Sequence, residues 1–572
     1  MLKKILFIIE NKYRKKIIIF FSLTLLVIIF ELLSLGMLIP IVKVILEPNE
    51  FRKYIEYLPF NYSILNNDSL IYYVLILFNI LILLKGCFLF FAQKYQAKFI
   101  ATFNEHLTNK IFENYTYQSI TSLIKKNLSE INRNTINLPN EFTNLLLNSL
   151  IVIISDIVLL TFVILFLITI EPMMTIMGAI IVISIGLIIF TINKKIMTLN
   201  GDKYVSYSSK IIKTLNETFG AILEIKSLKK ESLFINKFKS SSSNLKDIQA
   251  SLSILTFVPR IFFEIISIIL ITIFFIILSI KLDNINEMLG VIVLFSFSII
   301  KITPLVNKIV INMQKIKFSL PFLDEIYNVL STLRIQKVDL LKKLKFKDSI
   351  NLSNIDFKYD KSKFILKNIN LSIKRNQFFA ISGESGSGKS TLLKIVLGLL
   401  EPTSGNISVD DQSILLNKNQ WQEKISFVPQ DVFILDNTLI NNITLEIDEN
   451  KIDFEKLEVA INFSNLKNFI EELPNGQNTI LGDKGSKISG GQKQRIGIAR
   501  AIYSNSEIII FDESTSSLDE KTEAEIFENI KKLKENKTII FVTHRKIVKE
   551  YCDNFYLLEN NTLKKLINEN SI

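Results

Sequence analysis

The 572-residue chain is poor in the residues that build cross-linked or metal-centred proteins. Its two cysteines, Cys87 and Cys552, lie far apart in unlike segments and form no CxxC pair. This excludes a disulfide framework and a metal site built on paired cysteines. Only two histidines occur, so the sequence position of each one is informative.

The sequence also lacks the surface pattern of a nucleic-acid-binding protein. Its formal net charge is +12, but no basic stripe is interleaved with aromatic residues, so we exclude nucleic acid as a partner. A membrane protein collects Lys and Arg in its cytoplasmic loops, which explains much of the excess. No small-residue cleavage site follows the charged N-terminus, which indicates a retained membrane anchor rather than a signal peptide.

Long apolar runs are abundant, but they are confined to the first part of the chain. A helix needs about 20 apolar residues to cross the bilayer core. Six segments meet this requirement, namely residues 17–46, 69–92, 142–170, 173–193, 254–280 and 287–308. We therefore predict a six-helix all-α transmembrane domain over residues 1–317, a linker over 318–349 and an α/β domain over 350–572.

Basic residues indicate the orientation of these spans. The tail that ends at Lys16 and the connection 93–140 each hold six Lys or Arg, and the connection 194–251 holds eleven. The opposite side holds Arg52, Lys53 and Lys281. Because basic loops stay in the cytoplasm, both termini are expected there.

Two kinds of connection between the spans carry further predictions. The long cytoplasmic connections keep an apolar periodicity, so we expect the spanning helices to continue below the membrane, with short helices near 117–126 and 218–230 that press on the α/β domain. The alternative is that these connections are solvated linkers. Residues 49–62 mix aromatic and charged residues and predict an amphipathic helix at the outer interface.

The stretch GESGSGKST, residues 383–391, has the context of a phosphate-binding loop. The sequence NQFFAIS leads into the loop and predicts a strand. The sequence TLLKIVLGLL begins at the last residue of the loop, Thr391, and predicts a helix. In such a loop, backbone amides and the positive end of the helix bind the phosphates of ATP. The side chain of Lys389 would reach the β- and γ-phosphates, and the Ser390 hydroxyl would bind Mg²⁺. The predicted ATP-binding residues here are Gly383, Glu384, Ser385, Gly386, Ser387, Gly388, Lys389, Ser390 and Thr391.

A second strand, EIIIFDE at residues 507–513, ends in two carboxylates. Asp512 is predicted to hold Mg²⁺, directly or through water, and Glu513 to polarise the attacking water. Two acids after a strand also occur at ordinary helix N-termini, which favour negative charge. The presence of a phosphate-binding loop in the same domain favours the catalytic interpretation.

Three further residues complete the predicted ATP site. Gln430, in SFVPQD, can contact Mg²⁺ and the water, and His544, in FVTHR, can donate a hydrogen bond to the γ-phosphate. Tyr359, in FKYD, lies 24 residues before the first loop glycine and can stack on adenine. A tyrosine at this position can equally belong to the packing of a sheet.

The stretch ISGGQ, residues 488–492, resembles the signature motif of the ABC transporter family, with Ile488 where the family usually has Leu. The order of the motifs from Tyr359 to His544 also matches that family. In the family, two ATPase domains meet head to tail, and the motif completes the nucleotide site of the partner. The resemblance implies that Ser489, Gly490, Gly491 and Gln492 bind the partner's ATP and that Asp519 couples the two sites. It further implies ATP hydrolysis coupled to transport, with ATP and Mg²⁺ as cofactors, by a homodimer in a lipid bilayer.

Charges inside the spans are the best indication of what is carried, because each costs at least about 2.5–3.5 kcal/mol at a helix centre. Lys85, Arg260 and Lys301 all lie toward the cytoplasmic half, and we predict that they attract an anionic headgroup such as pyrophosphate. Alternatively, each extends to the lipid headgroups, and Arg260 pairs with Glu264 one turn away.

The plan of the membrane domain resembles the bacterial flippases that move lipid-linked oligosaccharides outward as undecaprenyl-pyrophosphate glycans. The likeness rests on span lengths, the segment 49–62 and the stretch PRIFFE, although lysine replaces arginine at two positions of the basic belt. It implies a polyprenyl-pyrophosphate-linked glycan as substrate. The alternative is an exporter of drugs, lipids or peptides with an apolar cavity, and a non-transport use of ATP is a third interpretation.

Overall fold

The computed structural model describes residues 1–46, 67–281, 285–331, 344–359 and 363–566. The predicted amphipathic helix 49–62 lies outside these residues. The chain divides into two compact units, one made of Met1–Gln118 and Ser122–Ile335, the other of Ser119–Thr121 and Gln336–Ile572.

The first unit, taken together with residues 119–121, consists of helices joined by short turns and contains no strand in the part of it that the structure describes. Its α-helices are α1 (Leu2–Ile8), α2 (Asn11–Gly36), α3 (Leu38–Leu46), α4 (Asn67–Thr116), α5 (Ile120–Ile124), α6 (Leu128–Glu141), α7 (Asn148–Ile168), α8 (Pro172–Gly220), α9 (Ile222–Ser227), α10 (Glu231–Lys281) and α11 (Ile285–Ser331). The described residues contain six helical stretches long and apolar enough to cross a membrane, as predicted.

Several of these helices are much longer than a bilayer requires. Helices α4, α8 and α10 have 50, 49 and 51 residues, which agrees with spanning helices that continue into the predicted cytoplasmic connections. The short helices α5 and α9 fall inside the predicted segments 117–126 and 218–230. Pro172 begins α8 three residues after Thr169 caps α7, so the third and fourth spans form a tight hairpin.

The third span contains a stretch of π-helix. Residues Phe142–Leu147 have π geometry between α6 and α7, so the helix runs on without a break from Leu128 to Ile168. Such stretches are rare and occur mostly as single turns inside α-helices. No residue pattern in the sequence indicated this one.

Close packing between α8 and α11 depends on Gly201. A Cβ atom at this position would lie 2.2 Å from the carbonyl oxygen of Phe318. The absence of a side chain therefore lets the two helix backbones approach. Phe318 belongs to a buried cluster that also includes Phe103, Phe142 and Phe322, and this cluster joins several helices of the first unit.

The second unit contains two sheets. Its strands are β1 (Ser349–Phe357), β2 (Leu366–Lys374), β3 (Phe378–Ser382), β4 (Ser404–Val409), β5 (Gln412–Ser413), β6 (Ile425–Val428), β7 (Ile508–Asp512), β8 (Thr538–Val542), β9 (Asn554–Glu559) and β10 (Thr562–Leu566). One sheet has the order β2-β1-β4-β5 and is antiparallel. The other has the order β10-β9-β3-β8-β7-β6 and is parallel except for the β9–β10 pair.

Both faces of the larger sheet are buried. Along β3, Phe378 and Ala380 belong to one hydrophobic cluster, while Phe379 and Ile381 belong to another. Successive strand residues point to opposite faces, so the uninterrupted apolar run of this strand fits a parallel sheet covered on both sides. The carboxyl ends of β3, β6, β7 and β8 therefore lie along one edge.

The helices of this unit lie between the strands in sequence. They are α12 (Lys389–Val396), α13 (Lys418–Gln422), α14 (Leu439–Thr444), α15 (Phe454–Phe463), α16 (Lys467–Glu472), α17 (Gly490–Tyr503) and α18 (Glu520–Leu533), with 3₁₀ turns at Glu449–Lys451, Gly476–Asn478, Asp483–Gly485 and Lys546–Glu550. The predicted linker 318–349 begins inside α11, which runs to Ser331. Span length alone did not indicate where that helix ends.

Candidate functional site

The phosphate-loop motif joins β3 to α12. Gly388 caps the helix with φ of 105°, a conformation that side chains with a Cβ rarely adopt. A Cβ atom on Gly383 would lie 2.5 Å from the carbonyl oxygen of Leu558. Both glycines are thus required by the backbone path, and α12 begins at Lys389 with its first amides at the loop.

Lys389 holds the loop together from within. Its Nζ atom donates to the carbonyl oxygens of Gly383 and Glu384, both at 2.9 Å, and lies 3.0 Å from Nε2 of His544. Burial lowers the pKa of this ammonium, and nearby Glu513 opposes that change. The lysine is therefore positioned at the loop before any phosphate binds.

Asp512 and Ser390 provide two neighbouring oxygen atoms. Asp512 ends β7, and its Oδ1 atom lies 3.5 Å from Oγ of Ser390. Burial raises the pKa of the Asp512 carboxyl, and the hydroxyl of Ser390 opposes that change. A carboxylate and a hydroxyl are hard oxygen ligands, and Mg²⁺ is usually held by one or two protein oxygens together with substrate phosphates. The pair fits the predicted Mg²⁺ site.

Glu513 is the centre of the predicted catalytic group. Its Oε1 atom lies 2.8 Å from Nε2 of His544 and 3.7 Å from Nζ of Lys389, and its Oε2 atom accepts from Nε2 of Gln430 at 3.0 Å. The residue has φ of 48°, a strained conformation that favours glycine, and its N–H donates to Val542. The structure therefore brings the three predicted catalytic side chains into direct contact.

The ISGGQ motif is separate from this group. Ser489 and Gln492 form a capping box at the start of α17, with the Gln492 N–H donating to Ser489 Oγ at 3.2 Å and the Ser489 N–H donating to Gln492 Oε1 at 2.7 Å. Ser489 and Gly490 are exposed. Among the described residues, no hydrogen bond joins the motif to residues 383–391.

The remaining two predicted nucleotide residues, Asp519 and Tyr359, are both exposed. Asp519 caps α18 by accepting from the Thr522 N–H at 3.0 Å, and this bond lowers the pKa of its carboxyl. The ring of Tyr359 packs edge-on against Phe357 at 4.8 Å between centroids, and the side chain is partly exposed.

Residues that the motifs did not identify connect these parts. Buried Gln494 of α17 donates to Ser516 Oγ at 3.1 Å and accepts from the Ser517 N–H at 2.9 Å, just after Glu513. Arg545, next to His544, donates to Glu523 at 2.6 Å and to the Ser516 carbonyl at 3.1 Å. The sequence could have indicated Gln494, because it is a polar residue at a position of the helix where an apolar, buried residue is expected.

Arg500 connects the other end of α17 to the segment after Gln430. Its guanidinium donates to the carbonyl oxygens of Asn442 at 2.8 Å and Phe433 at 3.2 Å. Burial lowers the pKa of this group. Helix α17 therefore has fixed contacts toward both Gln430 and the Glu513 segment.

Two of the three predicted substrate residues share one cavity of the first unit. Lys85 forms an ion pair with Glu31, and Lys301 Nζ lies 3.8 Å from the other oxygen of that carboxylate. Arg260 is 63% exposed in its side chain and pairs with Glu264 at 2.9 Å. It does not line this cavity in the part of the chain that the structure describes. The structure thus brings Lys85 and Lys301 together and leaves Arg260 apart.

The nucleotide site and the helical plan define an ATP-binding domain and a membrane domain of one transporter class. The family described as "ABC transporter" matches residues 366–516, and the one described as "ABC transporter transmembrane region" matches residues 17–305. The chain therefore belongs to the ABC transporter family. This confirms the predicted family, its ABC-type ATPase domain and the two-part fold class.

Similarity to named proteins is strong over part of the chain. The "Multidrug resistance-like ATP-binding protein MdlA" of Buchnera aphidicola is 42% identical over 235 residues, which cover 40% of each chain. The "Lactococcin-G-processing and transport ATP-binding protein LagD" of Lactococcus lactis is 35% identical over 44% of this chain and 36% of that protein. The "Alpha-hemolysin translocation ATP-binding protein HlyB" of Escherichia coli is 39% identical over 37% and 30%. The matches thus span less than half the length of these relatives.

A solved structure, "Structure of a bacterial Atm1-family ABC exporter with ATP bound", has the same fold. Its TM-score is 0.82, with 97% of this chain and 95% of that chain covered at 20% sequence identity. The likeness establishes the exporter fold for both units of the chain.

Proposed function

We propose that the chain is one half of an ATP-driven exporter of the bacterial cytoplasmic membrane, with both termini in the cytoplasm and two copies as the working unit. The observation that carries this proposal is the contact of Glu513 with His544, Gln430 and Lys389 in a chain that also has six apolar spans. The exposed residues Ser489 and Gly490 of the ISGGQ motif are available to a second copy.

In this proposal, the protein residues share the work of hydrolysis. The loop amides bind the phosphates, and Lys389 turns from the Gly383 and Glu384 carbonyls toward the β- and γ-phosphates. Ser390 and Asp512, with Gln430 nearby, would hold Mg²⁺, which neutralises charge that develops on the phosphates. Glu513 orients the attacking water and accepts its proton, and His544 donates to the γ-phosphate.

The second copy completes the site. Ser489 and the Gly491 amide of one copy bind the γ-phosphate held by the other, and Asp519 lies at the junction. ATP thereby favours a closed pair, and hydrolysis releases it, so the membrane halves alternate between two states.

The test of the catalytic assignment is Glu513→Gln in the purified full-length chain. We expect ATP binding to be retained while turnover falls by about 10²–10⁴-fold, because the water loses its general base. Turnover and nucleotide affinity are measured separately, and Glu520→Gln, an exposed acid at the start of α18, is the matched control. Normal turnover in Glu513→Gln would exclude this residue as the base.

For the cargo, the first candidate is an anionic lipid-linked oligosaccharide, which is supported by the lysines that line the cavity of the membrane unit. The second candidate is a drug, lipid or peptide, which the names of the relatives support. ATPase activity in proteoliposomes with added polyprenyl-pyrophosphate glycan, compared with hydrophobic drugs, separates the two. Stimulation by drugs alone that persists in Lys85→Ala and Lys301→Ala would reject the glycan, and Arg260→Ala serves as the control outside the cavity.

A further inference from the structure

One cavity of the membrane unit is lined by charges of both signs. It has a volume of about 270 Å³ and is bounded by helices α2, α4, α7 and α11. Its charged lining residues among those described are Glu31, Lys85, Asp156, Lys301 and Lys308. Charged side chains inside spans are expensive and usually mark a functional site. Three cations face two anions, so the cavity is not a simple basic site.

The charges do not pair off evenly. Lys85 and Glu31 form the close pair, and their side chains are only 17% and 8% exposed. Lys301 is held less tightly, at 3.8 Å from Glu31, and its ammonium lies 5.4 Å from the ring centroid of Phe297. Lys308 follows Lys301 by seven residues and so lies near the same face of α11. Lys301 and Lys308 are thus the cations best placed to bind an anionic group of a ligand.

The same cavity offers acceptors that lack donors. The Oδ2 atom of Asp156 is buried and has no hydrogen-bond partner among the described residues. Pro304, which also lines the cavity, has no N–H to donate to the carbonyl of Ile300 one turn before it. An unsatisfied carboxylate oxygen in such surroundings costs free energy that a ligand donor would recover.

We propose that this cavity binds a zwitterionic amphiphile, with its anionic group at Lys301 and Lys308 and its protonated amine at Asp156. Apolar side chains of the wall, among them Phe20, Leu89 and Leu305, then contact its hydrocarbon part. A pyrophosphate group would face the carboxylates of Glu31 and Asp156, and a simple cation would face three lysines. The inference rests on the proposed export function and assigns the cargo to the second candidate class, a lipid or a peptide, in place of the anionic glycan.

The test compares soluble ligands that differ in charge and hydrogen bonding. Dihexanoyl phosphatidylethanolamine, phosphatidylcholine and phosphatidylglycerol are titrated into the detergent-solubilised full chain without ATP, with thermal stabilisation as the readout. We expect the ethanolamine lipid to bind most tightly, because the choline headgroup has the same charges but no N–H donor. An apolar tripeptide with free termini forms a further arm, and its tighter binding would assign the zwitterion to a peptide. Equal or tighter binding of phosphatidylglycerol or inorganic pyrophosphate would overturn the proposal.

Two variants locate the binding within the cavity. Asp156→Asn should weaken the binding of the ethanolamine lipid by about tenfold and make its affinity equal to that of the choline lipid, because a charge-assisted hydrogen bond is lost. Arg260→Ala, outside the cavity, should bind as the unsubstituted chain does. Unchanged discrimination in Asp156→Asn would refute the assigned role of Asp156. If that variant does not fold, the comparison of lipids on the unsubstituted chain still tests whether the cavity prefers the ethanolamine lipid. Because this readout needs no ATP turnover, its failure is distinct from failure of the export proposal.

Discussion

Asp512 shows how a residue that is proposed to bind Mg²⁺ affects the stability of the protein. Its carboxylate is buried at the end of β7, and burial raises its pKa. Below the ordinary aspartate pKa the group is protonated in both folded and unfolded chains, so it has no effect. Above its raised folded pKa it is ionised in both states, and burial of that charge destabilises the fold.

We therefore expect Asp512→Asn to raise the melting temperature of the nucleotide-free protein at neutral pH while it abolishes Mg²⁺-dependent hydrolysis. The amide keeps the shape of the side chain and removes the buried charge. Differential scanning calorimetry at neutral pH and below the ordinary aspartate pKa checks the sign, because the difference should vanish in acid. A variant that melts earlier than the parent at neutral pH would contradict this account.

At the scale of single residues, the sequence motifs predicted which residues form the site better than they predicted which residues contact each other. Glu513, His544 and Gln430 were predicted from three separate stretches, and the structure brings them together because parallel strands end at one edge of the sheet. Glu31 had no predicted partner, although it binds Lys85 and Lys301. A contact between distant helices leaves no periodicity in the sequence, so only the packing of the helices shows it.

At the scale of elements, helix α17 connects several parts of the nucleotide domain. Its start carries ISGGQ, its middle binds residues 516–517 through Gln494, and its end binds the segment after Gln430 through Arg500. Movement of the motif would therefore reach both sides of the catalytic group.

We expect Gln494→Met to lower the turnover number for ATP while the KM for ATP changes little. The replacement keeps the volume but leaves the Ser517 N–H without its acceptor, at a cost of about 1–3 kcal/mol. Steady-state kinetics of the full chain provide the measurement, with exposed Lys521→Met as the control. An equal loss of turnover in Gln494→Met and Lys521→Met would show that the hydrogen bond between Gln494 and Ser517 has no special role in hydrolysis.

Strands β3 and β7 beside the nucleotide site were predictable because their apolar runs are short and are followed by a glycine or by acidic residues. The π-helical stretch Phe142–Leu147 and the break after Gly36 were not. Both occur inside continuous apolar runs, where the hydropathy does not change along the sequence and so cannot indicate a change in helix geometry. The predicted boundary at residue 317 lies inside α11, because the criterion was bilayer thickness and the helix runs on to Ser331 through mixed polar and apolar sequence that includes Pro321.

At the scale of the whole molecule, the proposal that each ATP lies between two copies predicts complementation. Lys389→Ala and Ser489→Arg should each abolish hydrolysis alone. The two variants are co-expressed, or unfolded, mixed and refolded, so that they assemble together. A mixed pair then has one site with both an intact phosphate loop and an intact ISGGQ motif. About a quarter of all sites should then be complete in a random symmetric dimer population.

Co-purification with two different affinity tags isolates the mixed pairs for ATPase assay. Activity confined to that fraction supports shared sites. An inactive mixed pair, or full activity in a Ser489→Arg preparation, would disprove them.

The capping box at Ser489 and Gln492 has a consequence for the approach of the second copy. Because the two residues satisfy each other's backbone amides, the motif is already folded in a lone chain and has little conformational entropy left to lose. Both amides should exchange slowly with deuterium in the lone chain, and in the proposed pair the second copy would then meet a surface that is already ordered.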